Sequence, residues 1–340
     1  PTYIDGSFRN KSKTIQINYV KYIKDNFKTY YDTYGSGGLE RLRKYLSFYC
    51  INEDGYEELK FVKECHISEI YGNTNKLEYL LKGNKEVFYV SPVYLSENEK
   101  NDDKSLLLWE EFLAKLNVHN GFIVISETTN GNYLDLKEFS DKKYNFKNFQ
   151  DIEKVCVVSN LLCEEIEYAL NIFRSATYDE KIVLSGLILN ILFKNWEVSG
   201  DYNEKYIKTF KMNSYNFWDY LMYSRRFNDK VLFYFQGNFR GTKSELLDSS
   251  FKFLVAQTSL ILATDGKFYK PAEIFINKPE IYAILGDSIP YVKDKSFSEK
   301  FYEGIGVNTS ANVNSVLNYL EKLSNLKNGD IQTLTSTSIR

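Results

Sequence analysis

The chain has 340 residues, with 43 Lys and Arg against 45 Asp and Glu, 43% apolar residues and 16% aromatics. That much apolar and aromatic side chain excludes wholesale disorder, and a formal net charge of −2 excludes the broad cationic field of a protein that coats nucleic acid. Two His and four Cys leave little for a zinc centre, and the length suits two or three cores.

Residues 11–31 predict a helix, with Ile15, Ile17, Val20, Ile23 and Phe27 apolar among lysines. Gly35-Ser36-Gly37-Gly38 interrupts it, and Leu39 opens a short basic helix to Leu46. Asp54-Gly55 predicts a tight turn between short strands. Leu106, Leu107, Trp109, Phe112, Leu113 and Leu116 make one helical face, and 122–125 reads as a strand leading through an Asn130-Gly131 turn to 133–136. From 149 to 173 the apolar steps at Val158, Leu162, Ile166, Leu170 and Phe173 predict a helix carrying Cys156 and Cys163 on one face. A second helix over 179–196 is apolar nearly all round and so belongs in a core. A strand is predicted over 231–235, a helix over 246–254 and a last helix over 312–326. The apolar window 182–193 is too short and too interrupted for a membrane span. With no signal peptide and no C-x-x-C pair, Cys50, Cys65, Cys156 and Cys163 read as buried thiols of a cytoplasmic protein. Beginning at Pro1 and ending after a polar Thr/Ser stretch, the chain reads as a piece of a longer polypeptide.

Comparing the chain with itself shows an internal repeat. The segments 51–55 (Ile51-Asn52-Glu53-Asp54-Gly55), 67–70 (Ile67-Ser68-Glu69-Ile70), 79–83 (Tyr79-Leu80-Leu81-Lys82-Gly83), 88–92 (Phe88-Tyr89-Val90-Ser91-Pro92) and 112–118 recur in the same order and with similar gaps as 262–266 (Leu262-Ala263-Thr264-Asp265-Gly266), 271–276 (Pro271-Ala272-Glu273-Ile274-Phe275-Ile276), 282–286 (Tyr282-Ala283-Ile284-Leu285-Gly286), 289–292 (Ile289-Pro290-Tyr291-Val292) and 301–307. Each copy reads as a small α/β module: a turn between two strands, a helical turn closed by Gly, and a final helix.

The second copy, Thr264-Asp265-Gly266 through Pro271-Ala272-Glu273, Leu285-Gly286-Asp287-Ser288-Ile289-Pro290-Tyr291 and Gly304-Ile305-Gly306-Val307, resembles a recurrent segment of the sacsin-like and plant NO VEIN-like large proteins and their bacterial relatives. The preceding helix expected over 243–251, and Trp196 ahead of Asp201-Tyr202, sit where that family has comparable residues. The resemblance covers 182–326 clearly and 45–118 more weakly. There Cys65-His66 stands where Pro-Ala-Glu is expected, and Asn117 stands for a Gly. In that family such segments lie downstream of an ATP-binding domain of the histidine-kinase and heat-shock-chaperone type, and some members end in a nuclease-like domain. The Asn helix motif and D-x-G-x-G loop of that ATP site are missing from this chain. The resemblance therefore implies a middle region with no cofactor.

Four other patterns bear on chemistry. Glu58-Leu59-Lys60, with Asp54 upstream, has the E-x-K form of restriction-type nucleases but is better read as a solvated strand. His66 and His119 lack the ligand pairs of a zinc site and the Ser or Cys of a triad. Gly35-Ser36-Gly37-Gly38 before a basic helix lacks the Lys-Ser/Thr of a phosphate loop and reads as a connector. Over residues 1–44 nine cations face four carboxylates with tyrosines interleaved, and Arg225, Arg226 and Arg240 form a second basic cluster. Cations among stacking rings suit single-stranded nucleic acid, with contacts expected from Lys21, Lys24, Lys28, Arg41, Arg43, Lys44, Arg225, Arg226 and Arg240.

The expected fold is α+β and mostly helical, with two small related α/β modules flanking a central helical region. The parts are a basic helical lead-in (1–44), a first module (45–118), a mainly helical centre with short strands (119–255), a second module (256–307) and a C-terminal helix and tail (308–340). The expected function is a non-catalytic scaffold or partner-binding middle region of a large sacsin-like ATPase. Its partners would be other domains of the same polypeptide or a second protein, with no membrane. The alternative is a nucleic-acid-binding region of a bacterial defence or DNA-processing ATPase.

Overall fold

A computed structural model describes residues 4–127, 134–135, 152–157, 160–198, 206–212, 216–222, 230–237, 242–248, 250–311 and 317. The chain divides into two compact units, one of residues 1–123 and 164–192, the other of 124–163 and 193–340. The 119–255 stretch is thus shared between them, its two helices going mostly to the first unit and its strands to the second.

In the first unit, α1 (Lys13–Asp25) buries Gln16, Val20 and Ile23. Gln16 is anchored at both ends, its amide donating to the Phe8 and Arg9 carbonyls and its oxygen accepting from the Tyr49 hydroxyl. The expected interruption at Gly35 is a kink within one element, α2 (Phe27–Tyr45), where Gly35 takes φ 58°. Gly38 lets the second half close back, since a Cβ there would stand 2.4 Å from Tyr34 Cβ. β1 (Ser47–Ile51) pairs antiparallel with β2 (Glu57–Phe61) on one side and β3 (Tyr89–Val90) on the other. A single helical turn, α3 (Leu77–Leu80), precedes β3, and α4 (Asp103–Lys115), capped by the Asp102 carboxylate on Ser105 N–H, follows it. Trp109, Tyr71, Tyr94 and Phe48 fill the core between these elements. α5 (Glu164–Ser175) follows, burying Ile166, Ala169, Leu170 and Phe173, and then α6 (Tyr178–Val198), which buries Leu184, Ile188, Leu189, Ile191 and Leu192 but exposes Ile182 and Val183.

The second unit corrects several sequence expectations. β4 (Ile125–Glu127) pairs with β7 (Asn160–Leu162), and β5 (Leu134–Asp135) pairs with β6 (Ile152–Val157), so among the described residues β4 and β5 are not paired with each other. The expected helix over 149–173 is β6, β7 and only then α5. Cys156 therefore lies in a strand, and Cys163 just ahead of α5. Short apolar runs satisfy helical and strand periods alike, and here a distant partner decides: β6 pairs with β10 (Lys230–Gly237). β8 (Tyr206–Met212) pairs with β9 (Asn216–Met222). The helices expected over 243–251 and 246–254 are likewise overturned in their first half. β11 (Thr242–Asp248) pairs with β10 along its whole length, and helix α7 begins only at Ser250 (Ser250–Ala256). The strand expected over 231–235 is β10. The Asn130-Gly131 turn, and the helix over 312–326 apart from Leu317, lie outside the described residues.

The second module follows as β12 (Ile261–Leu262), β13 (Phe268–Tyr269), α8 (Pro279–Leu285) and α9 (Glu299–Ile305). The backbone hydrogen bonds that frame its sheet repeat those of the first module. His66 N–H donates to Phe88 O at 2.9 Å, as Phe275 N–H does to Pro290 O at 3.1 Å. Ile67 N–H meets His119 O at 2.8 Å, as Ile276 N–H meets Asn308 O at 3.0 Å, and His119 and Asn308 N–H return the bond to Cys65 O and Ile274 O. A glutamate caps the short turn after the hairpin in both copies: Glu64 on Phe61 N–H and Glu273 on Lys270 N–H. Val62-Lys63-Glu64, not Cys65-His66, is therefore the counterpart of Pro271-Ala272-Glu273. The Asn117 departure is also resolved, because Asn117 takes φ 66° where Gly306 takes φ 101°. The fold is α+β and mostly helical, with two related α/β modules.

Candidate binding site

The basic residues of the lead-in are largely engaged within the first unit. Lys24 Nζ lies 3.3 Å from Glu99 and 3.1 Å from Asp25, and 5.0 Å from the Trp109 ring centroid. Arg41 donates to Ile4 O, Arg43 to Glu40 and Lys115 O, and Lys44 lies over the Tyr45 ring. Lys21 is half-buried and Lys28 exposed on α1 and α2. Arg225, Arg226 and Arg240 lie outside the described residues. The E-x-K pair turns on itself, Lys60 to Glu58 at 2.9 Å, while Asp54 pairs with Lys85 at 2.8 Å. Burial pushes the Cys50 thiol pKa up, and so does a hydrogen bond with Cys65; Cys50, Cys65 and Cys163 are buried and form no disulfide among the described residues.

His66 is fully buried, with Nε2 2.6 Å from the Glu165 carboxylate, whose other oxygen accepts from Ile123 N–H at 2.7 Å. Glu165, ninety-nine positions away on α5, left no sign in the local sequence around His66. His66 Nδ1 and the Tyr89 hydroxyl are buried without a hydrogen-bond partner among the described residues. His119, 6.0 Å from His66 between ring centroids, donates Nε2–H to Lys63 O. Burial and then the neighbouring His66 lower its pKa. This cluster joins α5 to the first module, and Asn308 repeats the His119 bond by donating to Ala272 O in the second.

The second module carries an open cleft of about 400 Å³. Its lining includes Thr264 and Asp265 of the hairpin turn, Tyr282 of α8, Asp287 of the loop after it, and Tyr269 and Tyr291. The Tyr269 hydroxyl donates to Asp265 at 2.7 Å, and the Tyr282 hydroxyl donates to Asp287. Burial alone would raise the Asp265 carboxyl, but the bonds from Tyr269 and from Lys267 N–H outweigh it and hold the acid below its usual range, ionised at neutral pH. The same bond pushes the Tyr269 hydroxyl up to about 12. Tyr282 and Tyr291 face each other at 5.6 Å between centroids. The cleft combines two carboxylates and three tyrosine rings with the apolar Ile289 and Pro290. Sequence reading singled out Asp265 and Asp287 only as pattern positions.

Among the described residues no three His, Cys, Asp or Glu side chains gather as a metal ion would need, and no helix is long and apolar enough to cross a membrane. No protein-family model, curated protein or solved structure matches the chain.

Proposed function

We propose that this chain is a non-catalytic binding segment of a larger polypeptide, of the kind its resemblance to sacsin-like proteins implies, holding other domains of that polypeptide or a partner protein. The observation that carries the reading is the duplicated module. The two copies keep one hydrogen-bonded frame down to equivalent glutamate caps, yet differ in what they present at the hairpin turn. A retained frame with altered surfaces is how a repeat varies what it binds without changing how it folds. Crosslinking of the full-length polypeptide, read by mass spectrometry, is expected to join residues of 47–119 and 261–308 to segments outside this chain. Magnesium-dependent ATP hydrolysis by the purified chain, scaling with its concentration through two unrelated chromatographic steps, would overturn the proposal.

A further inference from the structure

The two modules differ most where the cleft lies, and the difference is chemical. The hairpin turns themselves are alike: Asn52 N–H donates to Tyr56 O as Ala263 N–H does to Lys267 O, and Gly55 and Gly266 N–H return to Asn52 O and Ala263 O. Against the third strand, however, Cys50 sits opposite Val90 while Ala263 sits opposite Val292, so the first hairpin is two residues longer on each strand. That extra length carries its turn onto the loop after α3. Glu53 accepts from Gly83 N–H, Asn52 donates to Lys85 O at 3.0 Å, and the Lys85 ammonium pairs with Asp54 at 2.8 Å. In the second module no such bonds tie the shorter hairpin to the corresponding loop among the described residues, and both contribute to the lining of the cleft. Asp265 occupies the place of Asp54; the place of Lys85 falls to Ser288 counted from Gly286 as from Gly83, or to Asp287 counted back from Pro290 as from Phe88, and neither residue is a cation.

The turn aspartate is therefore kept while the lysine that answers it is gone, and Asp287 adds a second carboxylate to the cleft lining. Tyr282, exposed at the cleft, supplies a ring face on which an ammonium or guanidinium rests. Lys267 acts on Asp265 from within the turn but does not line the cleft. We propose that this cleft binds the cationic side chain of a lysine or arginine presented by a partner polypeptide, which takes the role that Lys85 plays internally in the first module. The inference rests on reading the chain as a binding segment and names the chemistry of what is bound.

The test uses the whole chain and short fluorescein-labelled Gly/Ser peptides carrying two Arg, two Lys, two Glu or no charge, followed by fluorescence anisotropy at low and physiological salt. The Arg and Lys peptides are expected to bind and the other two not. Asp265→Asn and Asp287→Asn, each retaining a hydrogen-bond acceptor, are expected to weaken binding about tenfold, the worth of one charge-assisted contact. Ser288→Lys, which restores the first module's internal cation, is expected to weaken it as well, while Asp54→Asn in the first module leaves it unchanged. Thermal melts of each variant separate loss of binding from loss of fold. Binding that survives the double Asp→Asn variant, equal binding of the Glu or neutral peptide, or no binding of any peptide at about 1 mM protein overturns the assignment. So does binding of spermidine with none of the peptides, which would make the occupant a free polyamine. None of these results touches the crosslinks that test the broader reading.

Discussion

At the residue scale, buried polar groups decide most. Glu165 satisfies His66 Nε2 and the Ile123 N–H at once. Glu165→Ala is expected to cost about 1–3 kcal/mol of stability by leaving those groups unpaired, with Glu165→Gln milder; urea unfolding measures both. His119 gives a pH dependence with a definite sign. Its pKa is depressed below 6.5 by burial and by His66, opposed by Glu165 and by the bond to Lys63 O. Below pH 6.5 the unfolded chain takes up a proton that the folded chain refuses, so this contribution falls as pH falls and is fully restored above that value. His119→Asn, the residue the second module already uses in Asn308, should flatten the change in urea midpoint between mildly acidic and neutral pH. An unaltered slope would place the titration elsewhere. Glu99 works in the opposite sense. Its burial alone would raise the pKa, but bonds from Ser96, Trp109 and Lys24 bring it to about 2. What it contributes is present above the ordinary carboxyl range and lost as pH drops toward 2.

At the scale of elements, glycine geometry separates positions that look alike in sequence. Gly306 has φ 101° and an open approach, since an added Cβ would stand 3.6 Å from Pro271 Cβ, so Gly306→Ala should cost about 1–2 kcal/mol through the backbone alone. Asn117→Gly, at the equivalent position with φ 66°, should change stability by less than about 1 kcal/mol. Gly38 is a steric case instead, because a methyl there collides with Tyr34 Cβ and crowds the Tyr30 ring. Gly38→Ala is expected to lower the melting temperature more than Gly37→Ala, whose Cβ meets nothing within 4 Å. The helical period is readable in α4 and α5, whereas the single helix expected over 11–31 divides at Asn26 into α1 and the start of α2. The helix expected over 149–173 gives way to β6 and β7, which pair with β10 and β4, and those expected over 243–251 and 246–254 give way to β11 through Asp248, which pairs with β10.

At the scale of the whole molecule, a net charge of −2 and the internal engagement of Lys24, Arg41 and Arg43 bear on the nucleic-acid alternative. If the chain binds partners by its acidic cleft, a gel shift with single-stranded DNA should disappear between low and physiological salt. Retention at physiological salt, with a slope of several phosphate contacts, would favour the alternative instead. The division into two units, one interrupted by residues 124–163, was invisible in the sequence, because contact between segments far apart in the chain has no local signature.

The order of residues alone determined the α+β class, the long amphipathic helices and the duplication, since turn glycines, aspartates and apolar spacing act over neighbours a few positions apart. Only the tertiary structure decided which short apolar runs became strands, that Glu165 answers His66, and that one module closes its hairpin on its own lysine while the other leaves an acidic cleft. Each of those depends on groups brought together from distant positions, and on a hairpin longer by two residues on each strand.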